Sequence, residues 1–103
     1  MKRTEIVQSI QKSLREMLPN EIEARLYGSE ARGNARPDSD IDLLILVDKD
    51  VVSLEDELRI TEPLYKIELE SEILINPLIL PKKMWGKIIT PFYENIMKES
   101  ILL

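Results

Sequence analysis

Apolar residues in the first eighteen positions recur at helical spacing. Ile6, Ile10, Leu14 and Met17 line one face of a helix over Thr4 to Leu18, with Thr4 as its N-cap and Pro19-Asn20 as its stop. The period then shortens. Ile22 to Tyr27 alternates apolar with polar residues and predicts a half-buried strand. Gly28 to Ser39 loses all periodicity and is punctuated by Gly28, Gly33 and Pro37, which predicts one helical turn at Ser29 to Arg32 followed by a loop. Ile41 to Val47 is apolar apart from Asp42, the pattern of a central strand buried on both faces.

Ser53 and Asp56 form a capping-box pattern that opens a second long helix through about Glu70. Pro63 lies within it and predicts a kink or a split. Glu72 to Leu80, rich in Ile and Leu, reads as a third strand. Pro81 opens a helix or turn through Lys82, Lys83, Met84 and Trp85, and Pro91 opens a last helix carrying Phe92, Ile96, Met97 and Ile101. The alternation αβαβαβα predicts an α+β fold, a small mixed β-sheet flanked by helices, in one domain over residues 1–103.

Composition narrows the chemistry. The 103 residues include no cysteine and no histidine, which removes disulfides, a thiol nucleophile, the commonest general base and the commonest transition-metal ligand. Any metal is expected to be a hard cation held by oxygen. A net charge of −5 argues against direct nucleic-acid binding, which needs clustered Lys and Arg. No signal peptide is expected from the N-terminal sequence, and Leu43 to Val47, the longest apolar run, is too short to cross a bilayer, so a cytoplasmic, non-membrane protein is expected.

The chemically specific stretch is residues 27–47. Gly28 removes the Cβ that would keep a phosphate from the backbone, and a helix starting at Ser29 turns free N–H groups towards it, with the Ser29 hydroxyl as a further donor. Gly33 permits the turn back towards Asp40, and Arg32 and Arg36 are cations within reach of a triphosphate. Asp40 and Asp42 share one face of a strand start, roughly 6–7 Å apart along the chain. Two carboxylates so close call for a cation, and Mg²⁺ fits, since it takes oxygen ligands from a few carboxylates and from substrate phosphates.

Gly28, Ser29, Ala31, Arg32 and Gly33, followed by Ser39, Asp40, Asp42 and Leu43, resemble the signature of the DNA polymerase β-like nucleotidyltransferase superfamily, and in particular of the minimal nucleotidyltransferase proteins. The resemblance implies transfer of a nucleoside monophosphate from an NTP, with ATP the expected donor, to an acceptor hydroxyl with release of pyrophosphate. It implies Asp40 and Asp42 as catalytic metal ligands for two Mg²⁺ ions, with Gly28, Ser29, Arg32 and Gly33 binding the nucleotide. It also implies an antitoxin role against a HEPN-type toxin, whose tyrosine is one possible acceptor.

The superfamily carries a third carboxylate on a later strand. The matching position here is Asn76, with Glu72, expected on the same strand face, as a substitute ligand. A neutral amide cannot act as a base. The alternative reading is therefore a nucleotide-binding antitoxin of weak or no activity that neutralises its partner by contact. Lys82 and Lys83 read as a solvated helix start, Trp85 and Phe92 as packing residues, and the acidic run Glu68, Glu70, Glu72 as a solvated face. The apolar end, Ile96, Met97, Ile101, Leu102 and Leu103, packs on its own core or forms a partner surface, and leaves homo- and hetero-oligomers both open.

Overall fold

The computed structural model describes residues 2–17, 21–87 and 89–103. Its elements are α1 (Arg3–Met17), β1 (Ile22–Tyr27), α2 (Ser29–Arg32), β2 (Ile41–Val47), α3 (Leu54–Ser71), β3 (Ile75–Pro81), a 3₁₀ turn (Lys82–Met84), α4 (Pro91–Glu99) and β4 (Ile101–Leu102). The sheet order is β3-β2-β1-β4. β1 runs antiparallel to β2 and to β4, and β2 runs parallel to β3 through the α3 crossover. The expected mixed sheet is thus present, with helices on both faces.

Side-chain alternation on β2 divides the core. Ile41, Leu43, Ile45 and Val47 face α1 and α3, where they meet Ile6, Ile10, Leu14, Ile60, Leu64 and Ile67. Leu44 and Leu46 face the other way and pack under Ile96 of α4, with Tyr27, Leu78, Leu80 and Trp85 around them. Burying one such side chain is worth about 2 kcal/mol, so the central strand holds both layers to the sheet. Asp42 continues the Leu44–Leu46 series. The sequence alternation therefore puts it on the α4 face of the sheet, at the end where β2 begins.

Four expectations change. Thr4 is not the N-cap of α1: the helix starts at Arg3, and the Ile6 N–H donates to the Lys2 carbonyl (3.0 Å). The expected stop at Leu18, Pro19 and Asn20 lies outside the described residues. Pro63 does not split α3, which runs unbroken from Leu54 to Ser71, because Ile60, Leu64 and Ile67 on either side are buried against the sheet. Tertiary burial offsets the local cost of the proline. Ile101 is not helical: α4 ends at Glu99, and Ile101–Leu102 pair with Leu26 and Arg25 as an edge strand.

The fourth change bears on the site. Glu72 does not open β3. It terminates α3 in the left-handed region (φ 60°, ψ 24°), its N–H donating to the Glu68 carbonyl (2.8 Å). β3 starts three residues later. Its outer edge is blunted: the Ile75 N–H donates to Glu68 Oε1 (2.8 Å). The Ile41 N–H donates inward to the Leu74 carbonyl (2.8 Å), which places Pro77 and Pro81 at positions whose backbone N–H groups would point outward. Proline costs no ladder bond there.

Candidate active site

The two halves of the motif meet where β1 ends and β2 begins. Tyr27 pairs with Asp42 in the β1–β2 register, so the chain leaving β1 turns beside the start of β2. Gly28 then turns into α2 with φ 71° and ψ −148°, a conformation essentially restricted to glycine. A Cβ on Gly28 would lie 2.5 Å from Asp42 Oδ2. Gly28 is expected to give room to a phosphate; in this structure it also makes room for the Asp42 carboxylate, which nests against the backbone of the loop.

α2 is a single turn, closed by Arg32 N–H donating to the Gly28 carbonyl (3.1 Å). The N–H groups of Ser29, Glu30 and Ala31 precede that bond and are the ones a first helical turn leaves without an intrahelical partner. Gly33 caps the turn in the left-handed region (φ 74°, ψ 15°) and sends the chain towards the loop before Asp40. That loop is tied by a reciprocal pair: Ser39 N–H donates to the Arg36 carbonyl (3.0 Å), and Arg36 N–H donates to Ser39 Oγ (2.8 Å).

Asn76 stands opposite Asp42 in the β2–β3 register. Its Nδ2 donates to Asp42 Oδ1 (3.2 Å) and to Asp40 Oδ2 (3.3 Å), so one amide bridges both carboxylates. These three side chains sit together at one end of the sheet, Asp40 and Asn76 exposed and Asp42 half-buried. The amide donors partly offset the repulsion between the acids. Among the described residues, no three His, Cys, Asp or Glu side chains cluster as a metal site.

The donor set still fits a hard cation. It offers two carboxylates at an open strand end and an amide whose oxygen faces the acids after a half-turn about its last torsion. Mg²⁺ needs few protein ligands when phosphates complete its shell. Glu72 is not part of this face, because it caps α3 rather than standing on β3.

The remaining expected residues divide. Arg32 is exposed and lies 3.7 Å from Glu99 of α4, a loose surface pair of little energetic weight. Arg36 is exposed on the connecting loop. Lys82 and Lys83 turn away to Glu23 and Asp50. Trp85 and Phe92 pack edge-to-face, and Phe92 meets Tyr27 in the same way at 5.8 Å. Glu68 serves the backbone of β3 rather than forming a solvated face.

Two neighbours of the site carry no sequence motif. Burial, and then the charge of Asp42, hold the Tyr27 phenol above its usual range. Arg3, on the first turn of α1, reaches into the loop between the motif halves. The sequence does hold one clue to Arg3: a cation at a helix N-terminus opposes the helix dipole and calls for another reason to be there.

Comparison with known proteins finds relatives of both the sequence and the fold. Residues 7–103 match the family model described as a nucleotidyltransferase domain. The chain is 34% identical over 79 residues to a Methanocaldococcus jannaschii protein called "Putative protein adenylyltransferase", an alignment spanning 76% of this chain and 79% of that one. Its fold resembles a structure described as a "putative minimal nucleotidyltransferase" (TM-score 0.65, 23% identity, covering 100% of this chain and 97% of that one). It also resembles a toxin–antitoxin crystal structure with AMP-PNP (TM-score 0.63, 19% identity, covering 92% of this chain and 69% of that one). A nucleotidyltransferase-like structure from Sulfolobus solfataricus is similar as well (TM-score 0.57, 19% identity, covering 95% of this chain and 76% of that one).

Proposed function

The chain belongs to the nucleotidyltransferase domain family, and on that premise we propose that it transfers AMP from ATP to a hydroxyl group on a partner protein, as a cytoplasmic antitoxin. The observation that carries this reading is the seating of Asp42 against Gly28, with Asp40 beside it. Groups suited to phosphate and groups suited to a divalent cation converge on one point. The relative called a protein adenylyltransferase and the fold shared with a toxin–antitoxin structure containing AMP-PNP support the choice of donor and acceptor class. A helical HEPN-type toxin is the partner we propose.

In the reaction, the acceptor oxygen forms a bond to the α-phosphorus, the bond from that phosphorus to the bridging oxygen breaks, and pyrophosphate leaves with the electron pair. The acceptor proton passes to water or to a carboxylate. Asp40 and Asp42 would hold Mg²⁺, which when bound supplies positive charge to the triphosphate. The residues of the chain orient the donor: Gly28 keeps the α2 turn close to the carboxylates, and the Ser29 region binds phosphate oxygens. Positioning and charge dominate this chemistry, so the absence of histidine is no obstacle.

Incubation with labelled ATP, Mg²⁺ and a HEPN-type toxin co-purified with the chain is the direct test. Label is expected on the partner with the wild-type chain and not with Asp42→Ala; equal transfer by both rejects the assignment. A second reading is favoured by one observation, the amide of Asn76 at the third acidic position. It holds that the chain binds nucleotide and neutralises its partner by contact alone. Retained neutralisation by the Asp40→Ala, Asp42→Ala double variant, with no label transferred by the wild type, selects that reading.

A further inference from the structure

The two halves of the motif are ten residues apart in sequence, and the loop between them is largely exposed. One side chain from elsewhere spans them. Arg3 Nε donates to Glu30 Oε2 of α2 at 2.7 Å, and Arg3 Nη1 donates to the Ser39 carbonyl at 2.8 Å, with the Pro37 carbonyl at 3.4 Å. The Arg3 and Glu30 side chains are each only 17% exposed. The Ser39 carbonyl belongs to the peptide that leads into Asp40. Glu30 is the second residue of the turn that follows Gly28.

We propose that Arg3 is a positioning residue that holds α2 and Asp40 in register and so sets the geometry of nucleotide and metal binding; the functional part rests on the reading given above. Three arguments support it. Arginine alone among side chains presents a rigid fork that can bind a carboxylate and a carbonyl at once; lysine would serve one or the other. The contact is charge-assisted at one end and largely shielded from water, so it is stronger than a surface pair. Its cost is visible: Arg3 Nη2 is sealed from solvent without a hydrogen-bond partner among the described residues. A buried donor left unpaired is unfavourable, as is a cation at a helix N-terminus, so helix stability alone does not explain the residue.

The test compares wild type, Arg3→Ala, Arg3→Lys and Ile60→Val, the last a core change on α3 that removes none of the clamp's hydrogen bonds. Amide hydrogen exchange follows the Arg36 and Ser39 N–H groups, and calorimetry follows ATP binding in Mg²⁺. Losing the clamp is expected to raise loop exchange about tenfold or more and to weaken Mg²⁺-dependent ATP binding by a similar factor, with Arg3→Lys intermediate. Ile60→Val is expected to lower global stability while leaving both loop exchange and ATP affinity within about twofold of wild type. Arg3→Ala matching wild type in loop exchange overturns the proposal. So does equal loss of ATP affinity in Ile60→Val and Arg3→Ala, which reduces Arg3 to a structural role. A wild-type chain that binds no ATP rejects the functional reading instead, and loop exchange by itself then decides the clamp.

Discussion

Gly28 and Gly33 have nearly the same φ, 71° and 74°, but very different surroundings, and that difference makes a sharp experiment. At Gly33, nothing lies within 4 Å of an added Cβ. Gly33→Ala therefore pays only for a left-handed backbone, about 1–2 kcal/mol, reduced by the stiffer unfolded chain to about 1 kcal/mol. At Gly28 the backbone region is more restrictive, worth about 1–3 kcal/mol in itself. The new Cβ would also meet Asp42 Oδ2 at 2.5 Å, closer than real Cβ atoms approach, so the carboxylate must move by about 1 Å to restore ordinary contact. Together these put Gly28→Ala at about 3 kcal/mol or more. For a domain of this size the melting temperature falls by about 4–8 °C per kcal/mol, which predicts a drop of about 12–24 °C or more for Gly28→Ala and about 4–8 °C for Gly33→Ala. Calorimetric melting measures both, and titration with ATP and Mg²⁺ well below the melting temperature tests the displaced carboxylate. Binding should be lost in Gly28→Ala and retained in Gly33→Ala. Equal melting shifts, or unchanged ATP binding in Gly28→Ala, would refute the idea that the glycine exists to seat Asp42.

Asn76→Asp restores a third carboxylate beside Asp40 and Asp42; it should lower the melting temperature in chelator, through repulsion, and steepen its rise with added Mg²⁺ relative to wild type. Pro63 stands inside α3 without an N–H to donate, so Pro63→Ala should stabilise the fold by about 1–2 kcal/mol in urea unfolding, the helical gain being partly offset by a freer unfolded chain. Asp56 is held at about 2, below its ordinary value of 3.8, first by the hydrogen bond from Lys49 and then by those from Ser53. A depressed carboxylate stabilises the fold above its unfolded value, and that contribution is lost as pH falls from about 4 to about 2. Lys49→Met should flatten the stability profile across that window, and an unchanged slope would remove Asp56 as its source. Ser53→Ala removes the acceptor for the Asp56 N–H (3.1 Å) and should cost about 1 kcal/mol by chemical denaturation at neutral pH.

How much was legible in the sequence follows the range of the forces involved. β1, α2 and β2 fall on the expected residues because alternation, a Gly-Ser break and an aliphatic run are local signals. The Ser53–Asp56 capping box is reciprocal as expected, for the same reason: both partners lie within one turn. Glu72 was misplaced because an apolar run does not mark where a helix ends. Its residue is not glycine, yet it adopts the left-handed cap that the Glu68 carbonyl and the start of β3 demand. Ile101 looked helical by spacing, but the free edge of β1 offers its backbone partners that a further helical turn would not.

The chemistry of this protein follows from side chains and local spacing alone: which residues are acidic, where backbone can turn without a Cβ, and which family the motif resembles. How the pieces meet depends on the folded whole. Register between β2 and β3 sets Asn76 against Asp42, a pairing no local pattern encodes. The antiparallel pairing of β1 with β2, Tyr27 opposite Asp42, turns Gly28 from a permissive residue into the one residue that leaves room for a carboxylate. And the docking of α1 brings Arg3 to Glu30 and Ser39, more than twenty-five residues away, because contacts between distant segments are chosen by the packing of the whole core and not by the segments that make them.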